Sequence, residues 1–96
     1  MLRSLRRDVA ATVGSAHEPA VLELAAQARS YLPDDQVAVK VVEDTQQYLH
    51  DTRIDTTWPA CPRHGNHPLR FRDGSWYCER DAVTVAPLGG LPATGI

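Results

Sequence analysis

Trp58-Pro-Ala-Cys61-Pro-Arg-His64-Gly-Asn-His67-Pro-Leu-Arg70-Phe-Arg72-Asp-Gly-Ser-Trp76-Tyr-Cys78-Glu-Arg-Asp81 holds both cysteines of a 96-residue chain and two of its four histidines. Asp73-Gly74 in its middle is the strongest short signal for a two-residue hairpin turn, because both positions tolerate the positive φ that such a turn requires. That turn sets Arg72 opposite Ser75, Phe71 opposite Trp76, Arg70 opposite Tyr77 and Leu69 opposite Cys78. Side chains alternate along a strand, so Leu69, Phe71, Trp76 and Cys78 share one face, and Arg70, Arg72, Ser75 and Tyr77 share the other. One face is apolar and ends in a thiol; the other is polar. After Asp81, Val83 and Val85 alternate with Thr84, which predicts a third strand beside the hairpin.

The same stretch has the chemistry of a metal site. Cys61-Pro-Arg-His64-Gly spaces a thiol and an imidazole by two residues around a tight turn, the form of a metal knuckle. Extending the hairpin register backwards puts His67 on the face of Leu69, diagonal to Cys78. Cys61, His64, His67 and Cys78 then make a Cys₂His₂ set for Zn²⁺, with two thiolates balancing the charge of the ion. Asp81 competes for the fourth position, since Cys78-Glu-Arg-Asp81 repeats the two-residue spacing of a second knuckle. The hairpin face favours His67, as does the commoner pairing of imidazole with thiolate; the spacing favours Asp81. The plainer alternative makes Cys61 and Cys78 ordinary buried thiols, with His64 and His67 as polar loop residues. In an oxidising compartment a Cys61–Cys78 disulfide is a third option.

Cys61-Pro-Arg-His64-Gly and Trp76-Tyr-Cys78-Glu-Arg-Asp81 resemble the two knuckles of zinc-ribbon proteins, whose usual form is Cys-Pro-x-Cys-Gly and Cys-x-x-Cys. The chain departs from that form at the second ligand of each knuckle, His64 in one and Asp81 in the other. The resemblance implies a small β lobe built around one structural zinc. The stretch Asp51-Thr-Arg-Ile-Asp-Thr-Thr-Trp-Pro-Ala-Cys-Pro-Arg-His64, with His67-Pro-Leu69 and Pro87-Leu-Gly-Gly-Leu91, is also similar to small uncharacterised actinobacterial proteins. That second likeness implies no activity.

Upstream, the pattern is helical. Leu2, Leu5, Val9 and Val13 recur at three- and four-residue spacing, and Gly14 is a natural stop. Ser15, with Glu18 three residues on and Pro19 following, predicts a capping box at the start of a second helix. Val21, Leu22, Leu24, Ala25, Ala28, Tyr31 and Leu32 give that helix a broad apolar face, and Pro33 ends it. Asp34 or Asp35 is expected to cap a third segment from Val37 to His50. There Val37, Val39 and Val41 alternate as a strand would, while Val37, Val41, Thr45 and Tyr48 fit a helix. The helical content of Glu43 to His50 favours helix throughout. His17 and His50 stand apart in these helical segments and are read as surface or helix-end residues. The expected organisation is α+β: a helical region over residues 1–57, a zinc-ribbon-like three-stranded lobe over 58–88 and a tail over 89–96.

Composition narrows the function classes. The chain is 43% hydrophobic and 23% charged, as globular proteins are, and its formal net charge of −2 argues against a dedicated nucleic-acid binder. Nine of its ten basic residues are arginine, with Lys40 alone, a bias that fits a GC-rich genome better than selection for phosphate binding. No apolar run approaches the roughly 18 residues that a membrane span needs. The basic start, Met1 to Arg7, meets Asp8 too soon to read as an export signal. The expected location is therefore cytoplasmic, where two cysteines serve metal binding better than a disulfide. Leu91-Pro-Ala-Thr-Gly95 matches a sortase pattern without the hydrophobic segment and basic tail that accompany it, and is read as coincidence. No catalytic triad, phosphate loop or His-x-Glu deaminase signature is present, so no enzymatic activity is expected. The leading expectation is a structural zinc protein acting as a protein-interaction module, with another protein or a second copy as partner. The alternative is a nucleic-acid binder using Arg70, Arg72 and Tyr77 on the polar hairpin face.

Overall fold

Three helices are followed by a three-stranded antiparallel sheet, an α+β arrangement, in a computed structural model that describes residues 1–52, 57–64 and 67–91. Helix α1 (Leu2–Val13) buries Leu5, Asp8 and Val9 at i, i+3 and i+4, the stripe that a 3.6-residue period presents to a core. Gly14 ends it with φ 92, a conformation that costs glycine least, and its N–H closes on the Ala10 carbonyl at 3.2 Å.

The expected capping box does not form. Ser15–His17 is taken up by a single 3₁₀ turn, so α2 (Glu18–Tyr31) starts at Glu18, with His17 at the cap position and no side-chain cap bond. Glu18 reaches Arg6 instead, at 3.4 Å. Pro19 suits the first turn because its missing N–H has no intrahelical partner there in any case. Val21, Ala25 and Ala28 face the core, while Leu22 and Tyr31 point outward at 42% and 62% exposure. The apolar face is therefore narrower than its sequence pattern suggests.

Leu32 and Pro33 are extended, as the residue before a proline is pushed to be, and α3 (Asp34–Asp51) follows directly. Pro33 occupies the cap position, and Asp34 and Asp35 sit inside the first turn without capping bonds; there their charge complements the helix dipole. The helix reading of residues 37–42 is settled by burial. Val37, Val41, Val42, Thr45 and Leu49 are inside, and Val39, which a strand would have placed with Val37 and Val41, is 44% exposed.

The sheet comprises β1 (Arg70–Arg72), β2 (Ser75–Cys78) and β3 (Val83–Pro87) in the order β1-β2-β3. The hairpin register is the expected one: Arg70 with Tyr77, Phe71 with Trp76 and Arg72 with Ser75. Asp73 and Gly74 have φ 51 and 78, the paired positive values of the two-residue turn. Between β2 and β3 the register shifts at Trp76/Tyr77. Trp76, Cys78 and Leu69 are fully buried and Phe71 partly, whereas Arg70 and Arg72 are exposed.

Helices and sheet share one core. Trp76 packs edge-on to Trp58 at 5.4 Å between ring centroids and to Phe71 at 6.1 Å. The Gln46 amide of α3 donates to the Leu69 carbonyl at 3.0 Å, and the Trp58 indole donates to Thr12 of α1 at 2.7 Å. Asp8 ties the most distant parts of the chain together. Its carboxylate accepts from Trp76 Nε1 at 2.8 Å, from the Gly89 N–H at 2.6 Å and from the Leu91 N–H at 3.0 Å. The expected tail is thus anchored as far as Leu91, which is buried; the rest of the Leu91–Gly95 motif, like most of the connector before Trp58, lies outside the described residues.

Candidate metal centre

Backbone hydrogen bonds build this site before any donor atom is considered. The Leu69 N–H donates to the Pro59 carbonyl at 2.8 Å and the Cys61 N–H to the His67 carbonyl at 3.0 Å, so the Pro59–Cys61 and His67–Leu69 segments lie antiparallel. The His64 N–H turns back onto the Cys61 carbonyl at 3.1 Å. That bond curls the Cys-Pro-Arg-His segment into a knuckle. Cys78 arrives from the far end of β2, on the buried face that the hairpin turn assigns to it.

Five donor residues gather in two overlapping groups. The ligand atoms of Cys61, His67 and Cys78 all lie within 4.8 Å of one another, and so do those of His64, Cys78 and Asp81. Cys78 belongs to both. Its Sγ is 3.8 Å from His67 Nε2. Zinc bonds of ordinary length at a tetrahedral angle put sulfur and nitrogen about 3.6 Å apart, so the spacing suits a shared ion. Both cysteines are free thiols and fully buried. The His64 and His67 rings lie 5.1 Å apart at 38°.

The four expected ligands are therefore brought to one place but not into one group. His67 joins the two cysteines, while His64 lies with Cys78 and Asp81. His64 Nε2 is 2.9 Å from Asp81 Oδ2, and Arg63 Nε is 2.8 Å from the same oxygen. The hydrogen bond from His64, aided by the charges of Arg63 and Arg80, holds the Asp81 carboxyl below the usual aspartate range against a smaller opposing effect of burial.

The other singled-out side chains lie elsewhere. Arg70 meets Glu79 at 3.4 Å and Arg72 lies 3.9 Å from Asp73, so both guanidiniums have a carboxylate nearby. The Arg72 guanidinium also covers the Tyr77 ring at 4.7 Å, beside a shallow cleft of about 310 Å³ lined by Arg72, Asp73, Ser75, Tyr77 and Thr84. His17 packs edge-on against Tyr48 with its Nδ1 3.3 Å from the Tyr48 hydroxyl, away from the cysteines.

Two residues escaped the reading of the sequence. Asp8 lies between Leu5 and Val9 on the core face of α1, and a lone charge on an apolar stripe is a visible sign of a buried hydrogen-bond hub. Arg63 had no such sign, because its partner Asp81 is fixed only by the way the two turns meet. No described helix is long and apolar enough to cross a membrane. Set against known protein families, curated proteins and solved structures, the chain matches none.

Proposed function

We propose that this chain is a small non-enzymatic zinc protein whose metal centre is structural, built on a variant of the zinc-ribbon plan, and that it works by presenting a surface to another protein. The observation that carries the reading is the convergence of Cys61, His67 and Cys78 donor atoms within 4.8 Å in the core of the sheet lobe. Thiolates and imidazole suit zinc, and two thiolates neutralise it in a site with little solvent. His64 supplies the fourth ligand. Full burial of both sulfurs fits a closed structural site better than a catalytic one, which keeps a position open to water. The partner surface lies on the helices, where Leu32 and Val39 line a shallow cleft with Asp35, Gln36, Lys40 and Glu43, and Tyr31 is exposed nearby.

Elemental analysis of protein purified without added metal tests the centre. One zinc per chain in the wild type, lost in Cys78→Ser, is the expected result; a metal-free wild type with both thiols titratable and the fold intact would refute it. Sedimentation and pull-down test the interaction role, and a strict monomer that captures nothing counts against it.

A further inference from the structure

We propose that Asp81 serves this metal centre from outside the coordination sphere, as the positioning residue that fixes the His64 tautomer and leaves His64 Nδ1 to bind the metal. The inference rests on the zinc reading above and takes it one shell outward.

The argument begins with donors and acceptors. An ionised carboxylate only accepts hydrogen bonds, so at 2.9 Å from Asp81 Oδ2 the His64 Nε2 carries the proton. In a neutral imidazole the remaining lone pair is then on Nδ1, and a lone pair is what a metal takes. Arg63 Nε lies 2.8 Å from the same Oδ2 as an ion pair. The His64 hydrogen bond and the Arg63 ion pair both engage Oδ2, so the knuckle already holds that oxygen without a metal bond. Charge points the same way: two thiolates already balance Zn²⁺, and a carboxylate ligand would leave a net negative site beside two fully buried sulfurs.

The position of Asp81 in the chain explains why this residue has the role. Asp81 lies in the turn between β2 and β3, three residues beyond Cys78, and His64 and Arg63 lie in the knuckle. One carboxylate oxygen therefore braces the two turns that carry the donors. It resembles a second metal-knuckle ligand in sequence because it has to lie close to the site, and its contacts assign it the outer place.

The decisive experiment compares wild type and Asp81→Asn by zinc competition titration and by the visible spectrum of the Co²⁺-substituted proteins. Long-range ¹H–¹⁵N spectra of the zinc-bound wild type report the His64 tautomer. Expected are Co²⁺ d–d and thiolate charge-transfer bands at unchanged positions in Asp81→Asn, zinc affinity lower by about 10- to 100-fold, and a His64 with Nε2 protonated and Nδ1 on the metal. Shifted and weakened d–d bands in Asp81→Asn would make Asp81 a ligand and overturn the proposal, as would unchanged affinity or a metal-bound Nε2. The wild-type tautomer decides the matter even when Asp81→Asn does not fold. A wild type that takes up neither Zn²⁺ nor Co²⁺ overturns the zinc reading itself, and this inference with it.

Discussion

The helical half and the sheet lobe bury different kinds of side chain. In the helices the fully buried residues, Asp8 and Thr45 apart, are aliphatic or small, among them Leu5, Val9, Val21, Val41, Val42 and Leu49. Each removes a similar apolar area from water, worth about 1.5–3 kcal/mol when complete, and three helices of 12, 14 and 18 residues give enough such positions to hold together. The lobe has strands of three, four and five residues, and its interior is Trp58, Cys61, Leu69, Trp76 and Cys78. Strands so short are marginal by themselves. Two tryptophans fill the space, and under the proposed zinc reading the two buried thiols are where a metal staple would act. Where aliphatic area is plentiful, packing suffices; where it is scarce, a few side chains of specific chemistry carry the structure. Asp8 joins the two regimes, since it stands on a helix and holds the sheet and the segment beyond it.

Four experiments break or sharpen this contrast. Metal removal should have the largest effect, because structural zinc in small domains is worth about 10–16 kcal/mol at neutral pH. Titrating the zinc-loaded protein with a strong chelator should abolish the near-ultraviolet circular dichroism of Trp58 and Trp76 while most of the helical signal at 222 nm persists. Parallel loss of both signals would show that the halves stand or fall together.

Asp8→Ala comes next. It strands the Trp76 indole and the Gly89 and Leu91 N–H groups in the interior, and each buried donor left unsatisfied costs about 1–3 kcal/mol. Urea unfolding should show a midpoint lowered to match, with Trp76 fluorescence changed before denaturant is added. An effect below about 1 kcal/mol, the net worth of an ordinary hydrogen bond, would remove Asp8 as the joint between the halves.

Leu49→Ala measures the helical regime directly. It empties a fully buried site and should cost about 2–5 kcal/mol, whereas Leu22→Ala, on the exposed side of α2, should stay within about 0.5 kcal/mol. Equal effects from the two would invert the assignment of the apolar faces. Gly89→Ala is the last of the four. Gly89 has φ 94, and an added Cβ would come within 2.9 Å of Ser4 Cβ on α1, so a loss of about 1–3 kcal/mol is expected from strain at the packed end of the chain. Thermal melts would detect it, and an unchanged melting temperature would mean that the contact with α1 yields freely.

Much of this fold is written in short-range signals. Asp73-Gly74 sets the hairpin register, since both residues accept the positive φ of the turn and the alternation of side chains follows from it. The periodicity of Leu5 and Val9, the stop at Gly14 and the break at Pro33 place the first two helices by preferences that act within a few residues. The gathering of Cys61, His64, His67, Cys78 and Asp81 was legible too, because a knuckle and a hairpin are local structures and each delivers its donors to a known side. Their division was not. Which histidine joins the two thiols, and which meets Asp81, depends on how the two turns face one another, and hydrogen bonds between separate segments decide that. The same holds where Ser15 gives up its cap to a 3₁₀ turn, and where Asp8 reaches Gly89, 81 residues away. Local dihedral preferences and side-chain periodicity are properties of the sequence itself. The partners of a buried carboxylate or a metal donor are set by which distant segments the packed core brings within hydrogen-bond reach.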